Sequence, residues 1–183
     1  MYNQSMTNRR YPHQFRFQVI SAWLADNYSP RKSLDVGGGK GLLAYLLNQR
    51  GWDVTVVDPV DQPLPPKYKD IEFDKRILIP HNEKVKLITA PFAEDMAKDF
   101  DLLIGLHAHG SNIKILNVAA KHHKDILILP CCVIDEPIEI KGGINWMNSL
   151  EDYALNLSLP VKRHTFNFVR QSTALYKIDT IKS

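Results

Sequence analysis

The segment Ser33-Leu34-Asp35-Val36-Gly37-Gly38-Gly39-Lys40-Gly41 constrains this chain more than any other stretch. A short apolar run enters the glycines. A helical pattern leaves them, Gly41 to Gly51 (GLLAYLLNQRG), with Gly51 as its stop. Strand, glycine turn and helix in succession bring a backbone close to a nucleotide-like ligand. Side chains at Gly37 and Gly39 would fill the space such a ligand needs. The free N–H groups at the helix start can donate to a carboxylate or phosphate. The next strand, Asp53 to Asp58 (DVTVVD), is β-branched and ends in an acid 23 positions after Asp35. A carboxylate there can accept hydrogen bonds from both ribose hydroxyls.

The rest of the chain alternates between the two periodicities. Gln14 to Asn27 has apolar residues at Phe15, Val19, Ala22 and Trp23, which is helical spacing, and Ser29-Pro30 closes it. This predicts an N-terminal helix or extension over about 1–30. Pro59 to Pro80 holds five prolines and reads as a long irregular connection. Val85 to Thr89 reads as a strand and Ala93 to Lys98 as a short helix. Phe100 to Leu106 and Asp125 to Leu129 are apolar runs expected of strands buried on both faces. Ser111 to Lys124 and Asn145 to Leu157 are expected helices. Val161 to Val169 and Thr173 to Ile178 alternate as a terminal antiparallel hairpin. The expected fold is α/β and doubly wound: a mostly parallel seven-stranded sheet with a C-terminal antiparallel hairpin, one domain over 1–183.

Composition agrees and sets limits. A chain of 183 residues, 44% hydrophobic and 23% charged, has the size and balance of one globular core. The net charge of +3 permits a polyanionic partner without requiring one. The two cysteines, Cys131 and Cys132, are neighbours, so no disulfide framework is expected and a reducing compartment is. MYNQSMTNRRYPHQFRF has no apolar secretory core, and no apolar run reaches the ~18 residues of a membrane span. The expectation is a cytoplasmic protein without a membrane partner. Its oligomeric state is not legible.

Three ligand classes compete for the glycine loop. A P-loop needs GxxxxGK and then Ser or Thr; here Gly41 and Leu42 follow Lys40. A dinucleotide fingerprint needs GxGxxG; Leu42 stands where its last glycine belongs. DVGGGKG followed by a helix and VVDP resembles the first two motifs of class I S-adenosylmethionine (SAM) dependent methyltransferases. The resemblance implies their Rossmann-like fold, SAM as cofactor and methyl transfer as activity. It places Asp35 near the methionine amine, Gly37, Gly38, Gly39 and Gly41 beneath the cofactor, and Asp58 on the ribose with Pro59 beside it. Leu106, at the carboxyl end of the fourth strand, is a further expected cofactor contact. After the third strand the family often has an acidic residue at the adenine; this chain has Thr89-Ala90-Pro91-Phe92 instead, and Phe92 suits either the adenine or the core.

A second group of residues falls at the carboxyl ends of two later strands, where open sheets bind ligands. These are His107, His109, Cys131 and Cys132. GLHAHG…LILPCC resembles a GLHxCG…PCC pattern of methyltransferase-like proteins that include a tRNA methyltransferase family. The chain departs from it at His109, where a cysteine is usual, and at Val133 and Ile134. A histidine here can act as a general base, with the cysteines shaping the pocket. The ligand types also suit zinc, although H-x-H and adjacent cysteines lack CxxC spacing, and no metal is expected. A nucleophilic cysteine needs a depressed thiol pKa. All four residues also suit a structural role.

The sequence lacks an Asn/Asp-Pro-Pro-Tyr/Phe segment after the fourth strand, which argues against exocyclic-amine methylation. Arg9, Arg10, His13 and Arg16, among Tyr11, Phe15 and Phe17, form a basic–aromatic patch that suits either nucleic acid or a solvated terminus. Lys162, Arg163, His164 and Arg170 form a second. Trp146 fits a pocket wall or the core. The acceptor is RNA or a small molecule. A non-catalytic SAM-binding regulatory module is the alternative.

Overall fold

A computed structural model describes residues 10–71, 73–138 and 145–179. Arg9 lies outside the described residues. So do residues 1–8 and 180–183 of the expected 1–183 domain.

The helices are α1 (Arg16–Asn27), α2 (Leu42–Asn48), α3 (Asn112–His122) and α4 (Trp146–Asn156). The strands are β1 (Lys32–Val36), β2 (Asp53–Asp58), β3 (Lys67–Lys69), β4 (Arg76–Leu78), β5 (Lys86–Thr89), β6 (Leu102–Leu106), β7 (Asp125–Leu129), β8 (Lys162–Thr165) and β9 (Thr173–Lys177). Short 3₁₀ turns cover His13–Phe15 and Glu94–Asp99. The described residues form one seven-stranded sheet in the order β5-β2-β1-β6-β7-β9-β8. The first five strands are parallel, β9 runs antiparallel to β7, and β8 to β9. This is the expected doubly wound architecture with its terminal hairpin.

The apolar runs are continuous because both sheet faces are covered. Leu102, Ile104, Leu106, Leu127 and Leu129 pack on the α1–α2 face. Leu103, Ile126 and Ile128 alternate onto the α3–α4 face with Ile115 and Leu116. Burying one such side chain stabilises by about 1.5–3 kcal/mol.

The structure corrects one element. Pro59–Pro80 is not all irregular, because β3 and β4 pair antiparallel as a small hairpin. Tyr68 and Ile79 lie with Tyr45 and Leu46 in a third apolar cluster, so the hairpin covers α2 where the chain passes from β2 to β5. Prolines at positions 63, 65, 66 and 80 flank its strands, where no ladder N–H is needed.

Two features orient the sheet. At the amino end of β7, Asp125 (9% exposed) accepts from Arg31 at 2.7 Å and Lys177 at 3.1 Å. At the carboxyl ends, the strand order reverses between β1 and β6, which opens the crevice where such sheets bind ligands. No helix among the described residues is long and apolar enough to cross a membrane.

Candidate functional site

The carboxyl end of β1 leads directly into the glycine loop. Gly37 takes φ +67° and donates its N–H to the Val57 carbonyl at 2.8 Å, turning the chain away from the sheet. Gly39 also has a positive φ, +55°, and a side chain built there would meet no atom within 4 Å. The loop therefore presents open space at Gly39. Gly38 and Gly41 serve packing instead. A β-carbon at Gly38 would come within 2.5 Å of Asp35 Oδ2, and one at Gly41 within 2.7 Å of Val85 Cγ2.

Asp58 ties the two ligand-facing loops together. Its Oδ2 accepts from Gly39 N–H at 2.9 Å, and its Oδ1 accepts from Val60 N–H at 2.9 Å. Pro59 is exposed beside it. Asp35 is enclosed beneath the loop, 2% exposed. Its Oδ2 has no hydrogen-bond partner among the described residues. Burial, reinforced by the Asp58 charge, pushes the Asp35 carboxyl up to about 7. A buried carboxylate oxygen left unpaired is costly, and a cation placed on it would remove that cost.

Behind the loop lies a cavity of about 550 Å³ bounded by Gly39, Val56, Leu64, Ile79 and Leu87. It sits on the α2 side of β2 and β5, between the glycine loop and the β3–β4 hairpin. Two sequence-derived cofactor contacts are core residues. Phe92, 6% exposed, belongs to the α3–α4 face, and its carbonyl accepts from Lys114. Leu106, 7% exposed, belongs to the opposite face.

The second constellation divides in two. The turn after β6 places Ala108 against Gly37, where an added β-carbon would meet the Ala108 methyl at 3.3 Å. His107 holds φ +58°, uncommon for a side-chain-bearing residue. Its Nε2 lies 3.1 Å from His13 Nε2. Burial first, then Arg16, His13 and His109, pull its pKa down to about 4. His109 faces away and meets the cysteines. Its Nδ1 lies 3.1 Å from Cys132 Sγ, and Cys131 Sγ lies 3.5 Å from Cys132 Sγ. Burial and the adjacent thiol push Cys131 up to about 11, the opposite of an activated nucleophile.

Nothing in the sequence marks His13 as a partner of His107, because 94 positions separate them. The intervening structure is a strap. Tyr11 donates to the Asn167 carbonyl at 2.9 Å and accepts from Val169 N–H at 2.8 Å, and Arg10 reaches the Phe168 carbonyl at 2.8 Å. Residues 10–15 thus cross the carboxyl edge of the sheet and lay His13 over His107 and Phe168. Arg16 is engaged too, 4.0 Å over the Phe17 ring. The described part of the N-terminal basic–aromatic patch is built into the fold. In the second patch, His164 stacks on Trp23 at 4.6 Å and Arg163 bonds Asn148 and Glu151. Trp146 opens α4 and packs on its core face.

No protein-family model matches the sequence, and no curated protein matches it. Solved structures do. A magnesium protoporphyrin IX methyltransferase from Synechocystis, with bound SAM, matches 93% of this chain and 80% of its own at 14% identity, TM-score 0.54. A methyltransferase from Pyrococcus furiosus matches 86% of this chain and 80% of its own at 14% identity, TM-score 0.53. A precorrin-6y C5,15-methyltransferase from Geobacter metallireducens matches 86% and 84% at 8% identity, TM-score 0.52. What this chain shares with all three is the fold, a Rossmann-like methyltransferase architecture.

Proposed function

We propose that this chain binds SAM in the crevice between β1 and β6 and transfers its methyl group to an acceptor held on the β6–β7 side. One observation carries the reading. The buried, unpartnered Oδ2 of Asp35 lies beneath a glycine loop that offers open space at Gly39, with Asp58 closing the end of β2. The residues present fit SAM. Asp35 suits its ammonium group. Asp58 accepts two backbone N–H bonds and keeps lone pairs for two ribose hydroxyls. Gly39 leaves the methionine end its clearance, Gly37 packs the loop against Ala108, and Pro59 flanks the ribose end. Phe92 and Leu106 support the crevice from the core.

When bound, SAM supplies an already activated methyl group. The chain's own contribution is then orientation of donor and acceptor. His107 and the Cys131–Cys132 turn line the acceptor side. The acceptor is RNA, by the resemblance of the GLHxxG and PCC segments, or a small molecule.

Calorimetric titration of the purified protein with SAM and with NADH tests the cofactor. SAM binds, Asp58→Asn and Asp58→Ala weaken it progressively, and NADH does not bind. A folded protein that ignores SAM refutes the proposal. Labelled SAM incubated with RNA and with small-molecule extracts then separates the acceptor classes. SAM binding without transfer to either leaves the non-catalytic reading.

A further inference from the structure

We propose that His109, Cys131 and Cys132 form a binding site for one thiophilic metal ion of the zinc class, with a fourth coordination position open to an added ligand. The proposal does not rest on the SAM reading, since it is argued from the distances among these three side chains and the segments that hold them.

The geometry is that of a ligand set. The donor atoms of the three residues lie within 4.8 Å of one another. Cys131 Sγ and Cys132 Sγ are 3.5 Å apart, and His109 Nδ1 lies 3.1 Å from Cys132 Sγ and 3.8 Å from Cys131 Sγ. A tetrahedral zinc ion with Zn–S of about 2.3 Å and Zn–N of about 2.0 Å spaces its ligand atoms about 3.5–3.8 Å apart. Shifts of a few tenths of an ångström in side chains that are not deeply buried bring the three into that pattern. Two thiolates and an imidazole are the donors that select zinc-class ions over oxygen-seeking cations.

The three residues stand on a fixed platform. His109 follows a tight turn in which its N–H donates to the His107 carbonyl at 3.0 Å and Ser111 N–H to the Ala108 carbonyl at 3.1 Å. Cys131 follows Pro130 at the end of β7, and Gln171 donates to its carbonyl at 3.2 Å. Glu136 accepts from the N–H groups of Asn112 at 2.8 Å and Ile113 at 3.0 Å, clamping the segment after the cysteines to the start of α3. Gly110 completes the approach: a β-carbon there would come within 3.0 Å of the Asp135 carbonyl oxygen. Preorganised ligands of this kind hold a metal without paying again for loop ordering. No fourth ligand joins the group among the described residues, and His109 is exposed. Three protein ligands with one position free is the arrangement of zinc sites that take an exogenous ligand.

The test uses reduced, chelator-treated protein loaded with Co(II). One equivalent per chain is expected, with thiolate-to-metal charge-transfer absorption and the visible bands of a tetrahedral ion. Zn(II) displaces it, and added imidazole shifts the bands by occupying the open position. Cys131→Ser and Cys132→Ser each abolish the charge-transfer pattern or weaken Zn(II) binding on the order of a hundredfold or more. His109→Ala weakens binding while retaining charge transfer. Far-UV circular dichroism and thermal melting verify that each variant is folded. Absence of charge-transfer absorption in the folded wild type, or its persistence unchanged in both cysteine variants, overturns the site. Bands that ignore imidazole overturn the open position.

Discussion

Replacing Asp35 by Asn removes a charge from the most enclosed acidic position at the glycine loop while keeping its shape. Burial and the neighbouring Asp58 raise its carboxyl from 3.8 to about 7. Between those values the native state holds a proton that the unfolded chain has released. Stability therefore falls as pH rises through that window and levels off above about 7. The full penalty above it is about 4 kcal/mol, an upper bound from roughly three pKa units at about 1.4 kcal/mol each. Asn returns part of this gain, because a buried amide without partners costs about 1–3 kcal/mol. The ligand-free variant should thus be more stable than wild type at pH 8 by about 1–3 kcal/mol. At about 2–4 °C per kcal/mol this raises Tm by roughly 5 °C. Near pH 5 the difference should vanish. Binding should move the other way. SAM affinity should drop by a factor of ten or more in Asp35→Asn, since a charge-assisted contact contributes about 1.5–3 kcal/mol. In the wild type, affinity should decline below pH 7, where the carboxylate must first release its proton. Thermal melts from pH 5 to 8, paired with calorimetry, read both effects. A variant that melts like wild type at every pH refutes the unpaired buried carboxylate. One that is stabilised yet binds SAM normally refutes Asp35 as the ammonium site.

Gly39→Ala should cost only the left-handed backbone penalty of about 1–2 kcal/mol, because its methyl meets nothing within 4 Å, yet abolish SAM binding. Gly41→Ala should destabilise further, by colliding with Val85, which comparative denaturant melts will show. Phe168→Ala removes a fully buried ring stacked on Phe166 and touching His13, and should cost about 3–5 kcal/mol in urea unfolding. His13→Ala should free the strap, raising the rate of limited proteolysis near residues 10–16 while the midpoint of global unfolding shifts by about 1 kcal/mol or less. Asp125→Ala removes the carboxylate that pairs with Arg31 and Lys177, while Lys177 keeps Asp179, and should destabilise by about 1–3 kcal/mol in urea unfolding, with the loss smaller at high salt.

The sheet was legible in the sequence because each strand carries its own signal. Asp53–Asp58 and Asp125–Leu129 are β-branched or apolar runs short enough to be strands, and their bounds match β2 and β7. The glycine loop and its two acids were legible for the same reason: turn, clearance and carboxylate are properties of contiguous residues. The β3–β4 hairpin was not. Its strands are three residues each, too short for an alternation to be read from the sequence, and Tyr68 and Ile79 pack over Tyr45 and Leu46 only in the folded chain. Phe92 and Leu106 show a different limit. An apolar residue near a strand end suits a ligand contact or the core equally in the sequence, and only the fold shows that both pack into the core clusters.

The division is clearest at the carboxyl edge. The sequence by itself determined an α/β sheet, the glycine turn, and acids at positions 35 and 58. It also named the four histidine and cysteine positions. Which of those four act together was decided by tertiary structure alone. His107 turned inward to meet His13, and His109 turned outward to meet Cys131 and Cys132. The physical reason is that local sequence fixes backbone periodicity. The partner of a side chain at a strand end depends on which neighbouring strand and which terminal segment the whole fold delivers there.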